Sequence, residues 1–309
     1  MTYLRPARQD TGEQAPQGAR HQAVPRALSG GAVMALALGI GTGAGPSLAR
    51  ALGLAPSSTA ARLIPAVLVS LVALTLVRAA VRHDGHRVAR LGFGGPAASL
   101  RALLVGIAVP GTAACLVFGL GTAAGLLRWS TPDPGTLARF LVTNTAVALL
   151  LEALPEETTL RGYTWTSLRG SFSGPLSALG TTAVFLLVPG ASTAVQATTA
   201  RLLGAEGAPV GIVPEGRPPA DHLILLTVFG LTLVAARRAL PDAPLCTAIG
   251  THLTVLTVNR VALQGDSRDA GWSAVDQAAA APLLVPLYLS VAAAAFVVLG
   301  RMAARISRG

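Results

Sequence analysis

Residues 149–168 read LLLEALPEETTLRGYTWTSL. An apolar run that begins near residue 137 meets two adjacent carboxylates, Glu156 and Glu157, with Arg161 close behind. A charged side chain at the centre of a bilayer costs about 2.5–3.5 kcal/mol on insertion scales, so it is rarely placed there without a partner or a role. On a helix, Glu157 and Arg161 are four apart and share a face, with the acid on the favourable amino-terminal side. Glu156 points about 100° away and is free for other work. Burial and a nearby guanidinium act on a carboxylate in opposite directions, and a glutamate balanced between them can hold a water and remove its proton. Pro155 removes one helix hydrogen bond and opens room beside the pair. The plainer reading is an ion pair that ends a helix at the headgroups.

The rest of the chain reads as scaffold for this cluster. It is 52% hydrophobic and only 12% charged, with a mean hydropathy of +0.58. Soluble domains carry about 25% charged residues, so the composition is that of a polytopic membrane protein. The net charge of +10 comes from arginine, since lysine is absent. The arginines lie between apolar segments and not on one face, which argues against a nucleic-acid partner. Cys115 and Cys246 both fall in apolar runs and read as small buried hydrophobes, not as a disulfide or metal site.

A span needs about 20 apolar residues. Eight candidates follow, at 27–49, 63–81, 102–127, 137–158, 174–195, 221–240, 243–263 and 280–300. The expected fold is an all-α membrane helical bundle of about eight transmembrane helices. Residues 1–26 form a polar tail expected to be disordered, and 27–309 form one membrane-embedded domain. Gly39, Gly41, Gly43 and Gly45 soften the first span, although glycine faces also permit close helix contact in lipid. Pro189 and Gly190 interrupt the fifth, which reads as a kinked or half span. With both termini in the cytoplasm, 16 of the 24 arginines fall on the cytoplasmic side, as the positive-inside rule requires. The same orientation puts Glu156, Glu157 and Arg161 at the cytoplasmic end of the fourth span.

Of the five histidines, only His252 lies well inside an apolar stretch, CTAIGTHLTVLTVNRVAL. It is about 13 Å into its helix and can approach the glutamate pair from a facing helix. A buried packing histidine is the plain alternative. Asn259 shares that face about 10 Å deeper, where an interhelical hydrogen bond is its ordinary role.

The pattern Glu156-Glu157-x-x-x-Arg161-Gly162-Tyr163 in an apolar multi-span chain resembles the CAAX prenyl protease/bacteriocin-processing (CPBP, Abi-type) family of intramembrane metalloproteases. Leu91-Gly92-Phe93 before a long span and the single-histidine helix around His252 are similar to that family too. The resemblance covers about residues 90 to 263. Phe185-Leu-Leu-Val-Pro189 has proline where the family's second motif has histidine. His252 is followed four residues later by Leu256, where the third motif has Asn or Asp. The resemblance implies a glutamate-activated water attacking a peptide carbonyl near the membrane face. Glu156 is then the base, Glu157 with Arg161 the orienting pair, and His252 the oxyanion or water partner. The family also implies a divalent metal, but a zinc site needs about three protein ligands and the second histidine is absent here.

Three functions follow. The first is an endopeptidase acting on a peptide or protein substrate at the cytoplasmic face of the lipid bilayer. The second is a catalytically degenerate relative serving peptide immunity or a membrane complex. The third is a transporter using the buried charges, against which no internal repeat is evident.

Overall fold

A computed structural model describes residues 17–207, 209–213 and 218–306. Eight helices dominate it: α1 (Gln17–Ala51), α2 (Thr59–His83), α3 (Pro96–Ala123), α4 (Pro134–Arg169), α5 (Gly174–Leu202), α6 (Pro219–Ala239), α7 (Pro244–Ala262) and α8 (Leu284–Ile306). Seven of them, all except α7, are long and apolar enough to cross a membrane. The chain is therefore an all-α, multi-pass integral membrane protein. The helix α7, counted as a span from its hydropathy, is diluted by Thr, His, Asn and Arg. It is the most enclosed helix, packed along α3 and against α4 and α6.

The helix α1 begins inside the segment 1–26 that was expected to be a disordered tail. Ala23 and Ala27 are buried, and Arg26 Nε lies 3.1 Å from Asp84. Residues 1–16 of that tail lie outside the described residues.

The glycines of α1 are seats for neighbouring helices. A Cβ at Gly31, Gly39 or Gly43 would collide with α5, at Val184, Val195 or Thr199. A Cβ at Gly41 or Gly45 would collide with Val69 or Pro65 of α2. Bare backbone lets α1 lie in the groove between those two helices, as small residues do in lipid. The helix α5 runs through Pro189 and Gly190 as one element.

Contacts at the helix ends sort the connections. Asp84 receives Arg26 and the Tyr163 hydroxyl (2.8 Å), Arg101 lies 3.4 Å from Asp242, and the Leu245 amide donates to the Gly92 carbonyl at 3.1 Å. These join the start of α1, the α2–α3 connection, the end of α4 and the α6–α7 turn at one end of the bundle. Gly300 of α8 lies against Arg238 there as well. At the other end a two-stranded antiparallel ladder, not foreseen from the sequence, ties β1 (Leu127–Trp129) to β2 (Ala274–Asp276). Trp129 stacks on Trp272 with ring centroids 4.4 Å apart. An apolar cavity of about 500 Å³ lies nearby between α3, α4 and α7, and Cys115 faces it instead of being buried.

The irregular element is α4. It does not end near 158 but continues to Arg169, and two stretches, Leu149–Ala153 and Glu157–Thr164, widen to π-type i→i+5 bonding. Pro155 explains the first. The Leu154 amide bonds the Leu149 carbonyl, so the next donor in that pattern, residue 155, should serve Leu150. Proline has no N–H, and the Ser70 hydroxyl of α2 donates to Leu150 instead, at 2.5 Å. In the second stretch the Thr158 and Thr159 hydroxyls bond back to Leu154 and Pro155. The loosened helix thus keeps the carbonyls of Leu150, Leu154 and Pro155 satisfied, as lipid demands.

Ser70→Ala is therefore expected to lower stability by about 1 kcal/mol, because it strands a carbonyl. In a Pro155→Ala background, where residue 155 regains its amide, the same change should cost almost nothing. Detergent unfolding of the four proteins in this cycle measures the coupling.

Candidate functional site

The site forms where α4 crosses α7. Four residues singled out by sequence are buried in the same region: Arg161 and Glu157 are fully enclosed, His252 is 2% exposed and Glu156 is 9% exposed. Glu157 Oε1 sits 2.8 Å from His252 Nδ1 and 3.3 Å from Arg161 Nη1. An ionised carboxylate only accepts, so Nδ1 carries the hydrogen of that bond and Nε2 of the imidazole is left for other work. Residues 95 apart in the chain are thereby joined.

Glu156 is turned differently, as the helical offset predicts. No hydrogen bond ties its carboxylate to the Glu157 group, yet it lies within the fields of His252, Glu152, Arg161 and Glu157. It is the most accessible member of the four. The cluster is not at a helix end: α4 runs twelve residues beyond Glu157, and the ion pair is fully buried, unlike the exposed pair of the plainer reading.

Aromatic rings fix the rest. The Arg161 guanidinium lies 4.7 Å from the centre of the Phe185 ring, a cation–π contact. Phe229 of α6 meets Phe185 at 6.0 Å and stands edge-on to His252 at 5.0 Å. The imidazole is thus clamped between a carboxylate and a ring. Phe185 is thus present at the site, and Pro189 lies one turn along α5. Leu256 packs into an apolar cluster with Leu149 and Leu253. Asn259 does not join His252: its side chain accepts from the Tyr288 hydroxyl at 2.9 Å. Leu91 packs against Gly162, so the segment Leu91-Gly92-Phe93 does border the site.

Sequence reasoning missed three things. Phe229 carries no polar signal. Arg237 was counted with the loop arginines but is only 6% exposed. Glu152 pairs with Arg260, whose Nη1 donates to Asn144 Oδ1 at 3.2 Å. Glu152 is four residues before Glu156, an i,i+4 spacing that was available as a signal.

The donors do not fit a divalent metal. Glu157 Oε1 is taken by two N–H groups, one of them a permanent cation, and the Pro189 side chain carries no ligating atom where the resemblance would call for a histidine. Among the described residues no group of three or more His, Cys, Asp or Glu is arranged to hold an ion.

No protein-family model, curated protein or solved structure matches the chain.

Because removing one partner leaves a buried charge alone, Glu157→Ala should cost about 3–5 kcal/mol. Glu156→Gln, which breaks no such bond, should cost far less. Unfolding of both variants in one detergent compares them.

Proposed function

We propose that this protein is a glutamate-dependent intramembrane endopeptidase of the CAAX-protease-like type, acting on a peptide or protein segment at the cytoplasmic face of the membrane. One observation carries the reading. A single buried carboxylate, Glu157, holds an imidazole from another helix and a guanidinium from its own, while a second carboxylate, Glu156, stands beside them without a fixed partner. That division separates an orienting acid from a working one.

In this reading a water enters between Glu156 and His252. Glu156 takes a proton from the water as its oxygen attacks the scissile carbonyl carbon. His252, protonated at both ring nitrogens in this reading, donates Nε2–H to the developing oxyanion, and Glu157 at Nδ1 balances the positive charge the ring carries throughout. The C–N bond breaks, and Glu156 returns its proton to the leaving amine. Glu157 with Arg161 is the positioning pair. The cytoplasmic assignment rests on the arginine bias. It keeps its two-to-one ratio when the enclosed Arg161 and Arg237 are dropped from one side and Arg260 from the other.

A second reading has a specific observation behind it. The site is closed, and Pro189 and Leu256 replace two polar groups of the family pattern. Both suit a non-catalytic relative that uses the cluster to lock α4 on α7 and works through peptide immunity or a membrane partner.

The purified protein in proteoliposomes, given lipidated or leader peptides, decides between them. The endopeptidase reading expects Glu156→Gln to lower cleavage about 10²–10⁴-fold and His252→Ala about 10²–10³-fold, with the fold retained. If wild type cleaves no faster than Glu156→Gln, and that variant still complements a deletion strain, the non-catalytic reading stands.

A further inference from the structure

The apolar cavity at the ladder end of the bundle, about 500 Å³ in volume, takes no part in the glutamate–histidine chemistry. Its back wall is α7. Its sides are α3 and α4, which each pack against α7 but not closely against one another. The sequence makes the gap. Gly111, Ala114, Cys115 and Gly119 recur at three- and four-residue spacing, so one stripe of α3 carries almost no side chain there. A Cβ at Gly119 would meet nothing within 4 Å, and one at Gly111 only Thr254 Cγ2 at 3.9 Å. Leu137 and Leu141 of α4 line the opposite side, and Trp129 and Trp272, stacked on each other, close the end.

The chemistry of the walls selects the occupant. The Trp129 indole N–H donates to the Thr122 hydroxyl at 2.9 Å, and the Thr257 hydroxyl accepts from Asn144 Nδ2 at 3.4 Å. The rest of the lining is almost entirely aliphatic and aromatic. An enclosed water needs two to four polar partners, which these walls do not supply, and a void of this size left empty is strongly unfavourable. Hydrocarbon fits.

The opening selects the source. Leu116 and Leu120 of α3 and Val142 of α4 are exposed, which in a membrane-spanning bundle means that they face lipid. Cys115 and Leu141, beside them on the cavity rim, are exposed too, so the cavity is continuous with the lipid-facing surface. Gly111 and Gly119 lie about 12 Å apart along α3, within the hydrocarbon depth of one leaflet, about 15 Å. The tryptophan pair stands where aromatic side chains mark the membrane interface.

We propose that this cavity is a resident lipid site. One acyl chain of a bilayer phospholipid enters between α3 and α4, lies against α7 and runs from the level of the tryptophan pair towards Gly111. The chain joins α3 to α4, which otherwise meet through α7. This site is independent of whether Glu156 cleaves peptides.

The full chain is placed in nanodiscs containing a phosphatidylcholine with a photoreactive diazirine midway along one acyl chain. After irradiation, labelled residues are mapped by peptide mass spectrometry. Surrounding lipid reaches Leu116, Leu120 and Val142. A chain inside the cavity also reaches Val258 and Val261, on a helix that its neighbours screen from the bilayer. Wild type should carry label in both groups. Gly119→Leu and, separately, Gly111→Leu fill the space and should lose most of the label on α7 while keeping it on Leu116, Leu120 and Val142. Leucine is the better helix former, and either variant serves if the other fails to fold. The proposal is overturned if wild-type label is confined to the outward-facing residues, or if both filled variants carry as much label on α7 as wild type. Disulfide cross-linking of two chains through Cys115, in place of label on α7, would assign the cavity to a second copy of the chain and overturn it equally.

Discussion

One carboxylate oxygen holds this bundle's interior together. Glu157 Oε1 takes a hydrogen bond from His252 on α7 and another from Arg161 on its own helix, and no solvent reaches it. In a low-dielectric interior the loss of any member of such a group is strongly unfavourable, because it leaves a buried charge alone. The remaining architecture can be understood as what is needed to complete it. The helix α7 has to be enclosed, and the rings of Phe185 and Phe229 have to shape the space.

The distortion of α4 lies on both sides of Pro155. A regular helix rich in leucine would be more stable than one with Pro155, a run of threonines and i→i+5 bonding. The strain is accommodated locally: Ser70 covers the carbonyl that proline cannot serve, and Thr158 and Thr159 fold back on carbonyls of the preceding turn. The irregular helix geometry is concentrated around the residues with the most unusual chemistry, Glu156, Glu157 and Arg161.

Much of the architecture was legible in the sequence, for a physical reason. Spans are set by hydropathy over about 20 residues, a signal that needs no partner. The convergence of Glu157, Arg161 and His252 was also legible, because charges and a histidine within apolar runs must find each other. What failed to read depended on the partner. Arg237 and a loop arginine look alike in one dimension. The α1 glycines look like weakness until α2 and α5 are in place. The helix α7 looks like an ordinary span, although its Thr, His and Asn side chains are tolerable only because protein surrounds them. The continuation of α4 past residue 158 was hidden by the polar threonines, which bond to their own helix instead of marking its end.

The widened turns have a consequence for how this helix tolerates insertion and loss. Each i→i+5 turn houses one residue more than a regular turn, and one residue corresponds to about 100° of rotation. Removing a single amino acid inside one of these turns would let it relax to ordinary helix while the residues on either side keep their facing. The same deletion in a regular part of α4 has no such slack and would swing Glu157 away from α7. The helix thus keeps its tolerance for a change in length at the widened turns, while exchange of its buried charged side chains stays costly.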